Sequence, residues 1–341
     1  MIRTNTINNP NDPTFLDPPN DTVQCLKWAP GNLTLICGTS WNGSSKIWEI
    51  NQSGQNMLKA QTTAFDPILS CSWKSDATSV FLGSCDNQVK CWDLATNTTR
   101  LIGNHNGPVR EVLWCEQINH LISGSWDSTV NFWDLRSPTP TASVQLGSRV
   151  FGMALRYPLL VGILSDKKHA VWNLQWLQQG RNTPDILTDT NVKVQFKSVD
   201  CYSDGTGFSI GLIEGRCAMK KINPSTYKAE NDFTFKCHRD NASQSAHSVN
   251  CIAFNPAYGT FATGGSDSSI IFWDRLAKQC IKTFTGLGGP VTAMDFKQDG
   301  FLFAYATGYD WARGSEGASS VQTKISYRVS NEDSKPKSSF K

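Results

Sequence analysis

The sequence predicts an all-β fold, a seven-bladed β-propeller, and three observations carry that prediction. A small-residue turn with an aspartate, followed by Trp-Asp, recurs as GSCDNQVKCWD (83–93), GSWDSTVNFWD (124–134) and GGSDSSIIFWD (264–274). The tryptophans Trp48, Trp92, Trp133 and Trp172 fall 44, 41 and 39 residues apart, the period of a four-stranded WD40 blade. The 26 glycines and 12 tryptophans lie among short strand-like runs separated by turn dipeptides, and no helical period of useful length appears.

Blade one, at 22–62, ends its third strand at Trp48-Glu49, and blade two, at 63–103, ends its third strand at Trp92-Asp93. Blade three, at 104–146, is the most complete, with His105 in the loop ahead of the first strand, Ser123 on the second, Asp127 in the turn and Trp133 on the third. Those side chains can form a hydrogen-bonded tetrad that fixes the indole between blades and satisfies its N–H. Aspartates repeated blade after blade suit that structural role and not a single active site. Blade four, at 147–188, is divergent and ends at Trp172-Asn173. The 101 residues from Trp172 to Trp273 hold one blade without a tryptophan, at 189–245, where GLIEGRCAMKK (211–221) puts Lys220 in the tryptophan slot. Blades six and seven follow at 246–288 and 289–330.

Residues 1–21 form an N-terminal extension. Because an open ring exposes sheet edges, residues 4–15 are the candidate for the strand that closes it. The polar stretch 331–341 is expected to be a disordered tail. Two loops stand out for length, 177–189 and 238–247.

At 341 residues the chain exceeds the usual single core, but a propeller adds core blade by blade and stays one domain. A formal charge of +3 does not by itself announce a nucleic-acid binder. Eleven cysteines lie singly with no CxxC pair, so free buried thiols in a reducing compartment are expected and neither a zinc site nor a disulfide framework is. The N-terminus lacks an apolar signal-type core and no run of 18 apolar residues occurs, which predicts a nuclear or cytoplasmic protein with no membrane partner. No nucleophile elbow, P-loop, HExxH or dinucleotide fingerprint is present. A non-enzymatic platform with no catalytic residues, cofactor or metal is therefore expected, its loops binding other chains.

The turn between the second and third strands of each blade points to the same face as the loop leading into the first strand. That face gathers Trp41 from blade one, Trp126 from blade three, Glu214 and Arg216 from blade five, and Tyr309, Trp311 and Arg313 from blade seven. The run KCHRD, leading into blade six, adds Lys236 and Arg239. Aromatic residues interleaved with arginines suit an extended peptide that carries apolar anchors and acidic residues. Trp41, Trp126, Arg216, Arg239, Tyr309 and Trp311 are the candidate peptide contacts, and Lys220, Lys236 and Arg313 the candidate contacts to RNA phosphates, with a Lys220 that simply faces water as the alternative.

The runs GTGFSIGLIEGRCAMKKINP (205–224), NDFTFKCHR (231–239), VNCIAFNPAYGTFATGGSD (249–267) and AYATGYDWARG (304–314) resemble the nuclear-pore mRNA export factors, a family of WD40 propellers, and the likeness covers nearly the whole chain. The mitotic spindle checkpoint propellers, a sister family, carry the same EGR, FKCHR and GSWD features. The N-terminal extension, the segment WEINQSGQNMLKAQ (48–61) and the YDW motif at 309–311 resemble the export family instead.

This resemblance implies a scaffold that clamps a GLEBS segment, a short and partly acidic stretch of a phenylalanine-glycine nucleoporin, across its top face. Arg216 and Arg239 match the arginines that would pair with its glutamates, and Trp126 matches an aromatic contact. It further implies salt-sensitive contacts to single-stranded RNA and residence in the nucleus and at the nuclear pore complex as well as in the cytoplasm. An isolated seven-blade ring is expected to be monomeric without its partner. The checkpoint alternative implies GLEBS motifs of kinetochore kinases, and a general WD40 role would imply ubiquitin-ligase components. The segment ARGSEGASSVQTK (312–324) departs from the family's usual sequence.

Overall fold

Seven blade sheets surround a central channel in a computed structural model that describes residues 5–177, 179–189, 193–223, 226, 229–240, 242–317 and 321–336. Consecutive strands pair antiparallel within each blade, so that blade one is built from Val23–Trp28, Leu35–Ser40, Ser44–Ile50 and Asn56–Thr63. The second strands Ser79–Ser84, Leu159–Leu164 and Gly207–Leu212 are buried at every position, because a blade lies against each of their faces. The outermost strand Asn56–Thr63 alternates between half-buried and exposed, the pattern of a sheet with one wet side. Apolar burial is divided into clusters that sit between neighbouring blades, as where Trp133 meets Phe81 and Val109 between blades two and three.

Register fixes which residues are equivalent. Val80 faces Trp92, Leu121 faces Trp133 and Phe261 faces Trp273. In blade five Phe208 faces Lys220, which therefore occupies the tryptophan slot, and in blade seven Phe303 faces Arg328. Cations in this slot need partners: Lys220 is paired with Asp232, and Arg328 lies 3.8 Å over the Phe284 ring and 3.2 Å from Asp333.

The blade-three tetrad is formed. Trp133 Nε1 donates to Ser123 Oγ at 2.7 Å, Ser123 Oγ lies 2.7 Å from His105 Nε2, and His105 Nδ1 lies 3.2 Å from Asp127 Oδ2. A protonated Nδ1 and an accepting Nε2 satisfy all three contacts. Burial pushes the His105 pKa down. For Asp127 burial is the largest influence and acts upward, but hydrogen bonds from Thr129 and from the backbone N–H of Asn106 outweigh it and hold the carboxyl below its usual value. Blade six carries a second tetrad that the sequence reading missed: Trp273 Nε1 donates to Thr263 Oγ1 at 2.9 Å, His238 Nε2 is 2.8 Å from the same hydroxyl, and His238 Nδ1 is 2.9 Å from Asp267.

The N-terminal extension crosses three blades. Asn5–Asn8 runs parallel to Gln279–Thr285 as a fifth strand of blade six. Residues 13–15 then pair with the outer strand of blade seven, Phe15 N–H to Ile325 O at 2.8 Å and Tyr327 N–H to Pro13 O at 3.0 Å, supplying the edge that this three-stranded sheet lacks. Leu16 O next accepts the Trp48 indole N–H of blade one at 2.7 Å.

Two expectations are corrected. Residues 331–336 are not a free tail: Ser334 is buried, its hydroxyl accepts from Asn255 Nδ2 at 2.9 Å, and Asp333 pairs with Lys282 and Arg328. Residues 337–341 lie outside the described residues. The stretch 177–189 is not one long loop, since Leu174–Leu177 is a helical turn and Ile186–Asp189 is the outer strand of blade four.

Candidate peptide-binding face

One backbone hydrogen bond, repeated in each blade, builds this face. The first residue of the turn after the second strand donates its N–H to the carbonyl just ahead of the innermost strand, as in Trp41 to Thr22 at 3.0 Å, Trp126 to Pro108 at 2.9 Å, Ile213 to Gln195 at 3.3 Å and Gly308 to Pro290 at 3.0 Å. Trp41 and Trp126 therefore stand at equivalent positions on one rim. Ile213 is the blade-five equivalent and is 43% exposed, an apolar member of the rim that sequence analysis passed over in favour of its charged neighbours.

Trp41, Trp126, Tyr309 and Trp311 converge on a single cavity of about 490 Å3 at the top mouth of the channel. They differ in how they are held. Trp41 Nε1 donates to Gln24 Oε1 at 2.9 Å, whereas the indole N–H of Trp126 has no partner. Trp311 is 54% exposed at a backbone φ of 60°. Tyr309 is buried beneath it, with ring centroids 5.6 Å apart, and its hydroxyl donates to Gly314 O at 2.6 Å. Tyr309 thus supports Trp311 and offers no free hydroxyl. Asp310 accepts from Asn250 Nδ2 at 3.0 Å and from Ser266, which ties the blade-seven loop to blade six.

Arg216 and Arg239 come together away from that cavity, at the turn of blade five. Arg239 Nε donates to Gly215 O at 3.1 Å and its Nη2 to Glu214 O at 2.6 Å. Three of its five N–H groups remain for another partner. Arg216 Nε lies 3.1 Å from Glu214 Oε1 but is not aligned for a hydrogen bond. Gly215 makes this packing feasible: its φ is +65°, and a Cβ there would sit 2.7 Å from Cys237 O.

The candidate phosphate contacts separate. Lys236 and Arg313 are exposed near the top rim, Lys236 opposite Arg216 in register. Lys220 is paired with Asp232 in the tryptophan slot, so it is corrected from a phosphate contact to a structural cation. Among the described residues no three His, Cys, Asp or Glu side chains are grouped to hold a metal, and no helix is long and apolar enough to cross a membrane.

A profile of the WD domain, G-beta repeat family matches residues 13–49, 56–93, 96–134 and 233–274. The mRNA export factor of Danio rerio is 39% identical over 320 residues, covering 89% of this chain and 85% of that protein. Protein Rae1 of Drosophila melanogaster is 34% identical over 330 residues, 92% of each chain. The Poly(A)+ RNA export protein of Schizosaccharomyces pombe is 36% identical over 308 residues, covering 89% of this chain and 86% of that one. With its ring geometry and this identity along nearly its whole length, the chain belongs to the mRNA export factor (Rae1) family of WD40 propellers.

Proposed function

We propose that this propeller is a non-enzymatic scaffold that binds the GLEBS segment of a phenylalanine-glycine nucleoporin on its top face and assists export of mRNA through the nuclear pore. The observation that carries the reading is the placement of two equivalent rim tryptophans, Trp41 and Trp126, on the same face as the paired arginines Arg216 and Arg239. Rigid aromatics anchor a peptide, and charge-assisted bonds to its glutamates fix its register. The names of the relatives from Danio rerio and Schizosaccharomyces pombe support the export role. Work in the nucleus and cytoplasm and at the pore follows from that role. Lys236 and Arg313 are the groups available for single-stranded RNA, by contacts that weaken with salt.

Calorimetric titration of the propeller with a nucleoporin GLEBS peptide, repeated on Arg239→Glu, tests the reading. Tight binding lost on charge reversal is expected. Preference for the GLEBS peptide of a kinetochore kinase would move the protein to the spindle checkpoint, and binding of neither peptide would remove the top-face site.

A further inference from the structure

The register of every innermost strand slips across its second residue, as between Val109 and Glu111 in blade three or Phe196 and Ser198 in blade five. A bulge leaves one residue out of the ladder and re-aims its side chain. Here six of these residues, Gln24, Arg110, Phe151, Lys197, Asn250 and Thr292, line the cavity at the top mouth of the channel, directly under the aromatic rim.

The bulge ring holds two cations and no carboxylate. Arg110 has a partial counter-charge behind it, Glu111 at 3.4 Å, which also accepts from Ser70. Lys197 makes no ion pair among the described residues. The residue is exposed overall, yet the protein around its ammonium and then the nearby Arg110 push its pKa down, against a weaker upward pull from Asp310. The two carboxylates at the cavity wall are already engaged, Asp310 by Asn250 and Ser266 and Asp21 by the N–H of Thr22 at 2.6 Å. A ring of bulges thus presents two like charges to an open throat with an aromatic collar above it.

We propose that this throat is an anion subsite of the top-face site, in which Arg110 and Lys197 hold the carboxylate of a glutamate or aspartate that projects down from the bound peptide. The inference rests on the peptide-binding reading and adds to it a specificity contact separate from Arg216 and Arg239. An incoming carboxylate relieves the repulsion between the two cations and gains charge-assisted hydrogen bonds in a site partly shielded from water.

A double-mutant cycle tests it. A synthetic nucleoporin GLEBS peptide and its single Glu→Gln and Asp→Asn versions are titrated into the wild-type propeller, Lys197→Gln, Arg110→Gln, Lys197→Arg and Arg239→Glu, with thermal melts as the control for folding. One acidic position is expected to cost about tenfold in affinity when neutralised in the wild type and close to nothing in Lys197→Gln, with Lys197→Arg restoring the loss. If the peptide binds and Arg239→Glu abolishes binding while no acidic position couples to Lys197 or Arg110, the throat subsite is wrong and the top-face reading stands. If the wild type binds no peptide, both fall. Inorganic phosphate alone is the last arm: if it binds the wild type with an affinity that drops in Lys197→Gln while no peptide position couples, the throat serves a free anion and the assignment to a side-chain carboxylate is overturned.

Discussion

Arg239 donates from Nη2 to the backbone carbonyl of Glu214 at 2.6 Å, and through this bond the loop leading into blade six holds the turn of blade five. The same guanidinium therefore has two duties, to fix the turn that displays Arg216 and to face a partner. A lysine supplies the charge but lacks the planar fork. Arg239→Lys is expected to lower unfolding stability by about 1–2 kcal/mol and to weaken the peptide by about tenfold. Arg216→Lys, which breaks only a half-exposed pair with Glu214, should leave stability within about 0.5 kcal/mol. Denaturant titration of both variants separates the roles, and equal destabilisation by the two would refute the division.

His238 and His105 should behave alike despite their different surroundings in sequence. Each bonds a hydroxyl through Nε2 and an aspartate through Nδ1, and each is buried. Removal of either ring takes away the hydroxyl's acceptor and one donor to the aspartate, which keeps its bonds from Thr129 and Asn106 in blade three or from Ser269 in blade six, and leaves a cavity beside the indole. His238→Ala and His105→Ala are each expected to cost about 2–4 kcal/mol, and Trp273→Phe, which loses one hydrogen bond but keeps most of the ring, about 1 kcal/mol. A His238→Ala variant as stable as the wild type would remove the tetrad from blade six.

The fold was legible because Trp48, Trp92, Trp133 and Trp172 repeat at blade length, and because Lys220 falls in register where the missing tryptophan belongs. The rim was legible in part: Trp41, Trp126 and Trp311 are large residues in turns, where burial does not explain them. His238 was hidden by its neighbours, since KCHRD reads as a charged loop, and only its distance to Thr263 reveals a tetrad histidine. Ile213 passed as an ordinary apolar residue. The throat was illegible because a bulge is a displacement of the ladder, and Arg110 and Lys197 sit in runs that read as plain strand.

His169 makes stability depend on pH. It stands three residues before Trp172, where blades two, three and six have Val89, Val130 and Ile270, and it packs against Phe208 with ring centroids 5.4 Å apart. Burial, then repulsion by Lys220, pushes its pKa from 6.5 to about 4. The unfolded chain therefore binds this proton first. The contribution to stability is complete above pH 6.5 and is lost as pH falls toward 4, a change of about 3 kcal/mol. Asp200 acts in the opposite direction, since burial raises its carboxyl to about 6 and the folded state takes that proton first. Both proteins in a comparison of wild type with His169→Phe contain Asp200, so the difference between their stability curves isolates the histidine. That difference should shift in favour of the variant from pH 6.5 to 4, and parallel curves would show that His169 is not held neutral.

The N-terminal strap should be required for ring closure and not only for local order. Phe15 is 2% exposed, with its ring 4.8 Å from Tyr327 of blade seven and 5.6 Å from Trp48 of blade one. Phe15→Ala is expected to cost about 3–5 kcal/mol, the range for an aromatic removed from a packed core. Deletion of residues 1–16 uncovers the outer edges of blades six and seven at once. An uncovered edge pairs with other chains, so the truncated protein should form oligomers in sedimentation while Phe15→Ala stays monomeric.

Trp126 offers the clearest separation of binding from stability. Its indole N–H is shut off from water and lacks a hydrogen bond, whereas the equivalent Trp41 is satisfied by Gln24. An unpaired buried donor costs about 1–3 kcal/mol. Trp126→Phe removes that donor and keeps an aromatic ring on the rim, so the free propeller should be no less stable than the wild type, and Trp41→Phe, which orphans Gln24, should be less stable than Trp126→Phe. If a bound peptide draws the indole outward and supplies an acceptor, Trp126→Phe will weaken binding by about fivefold to tenfold without a loss of melting temperature. A variant that loses melting temperature and peptide affinity together would instead mark Trp126 as a packing residue between blades, and the peptide path would have to run over Trp41 and Trp311 alone.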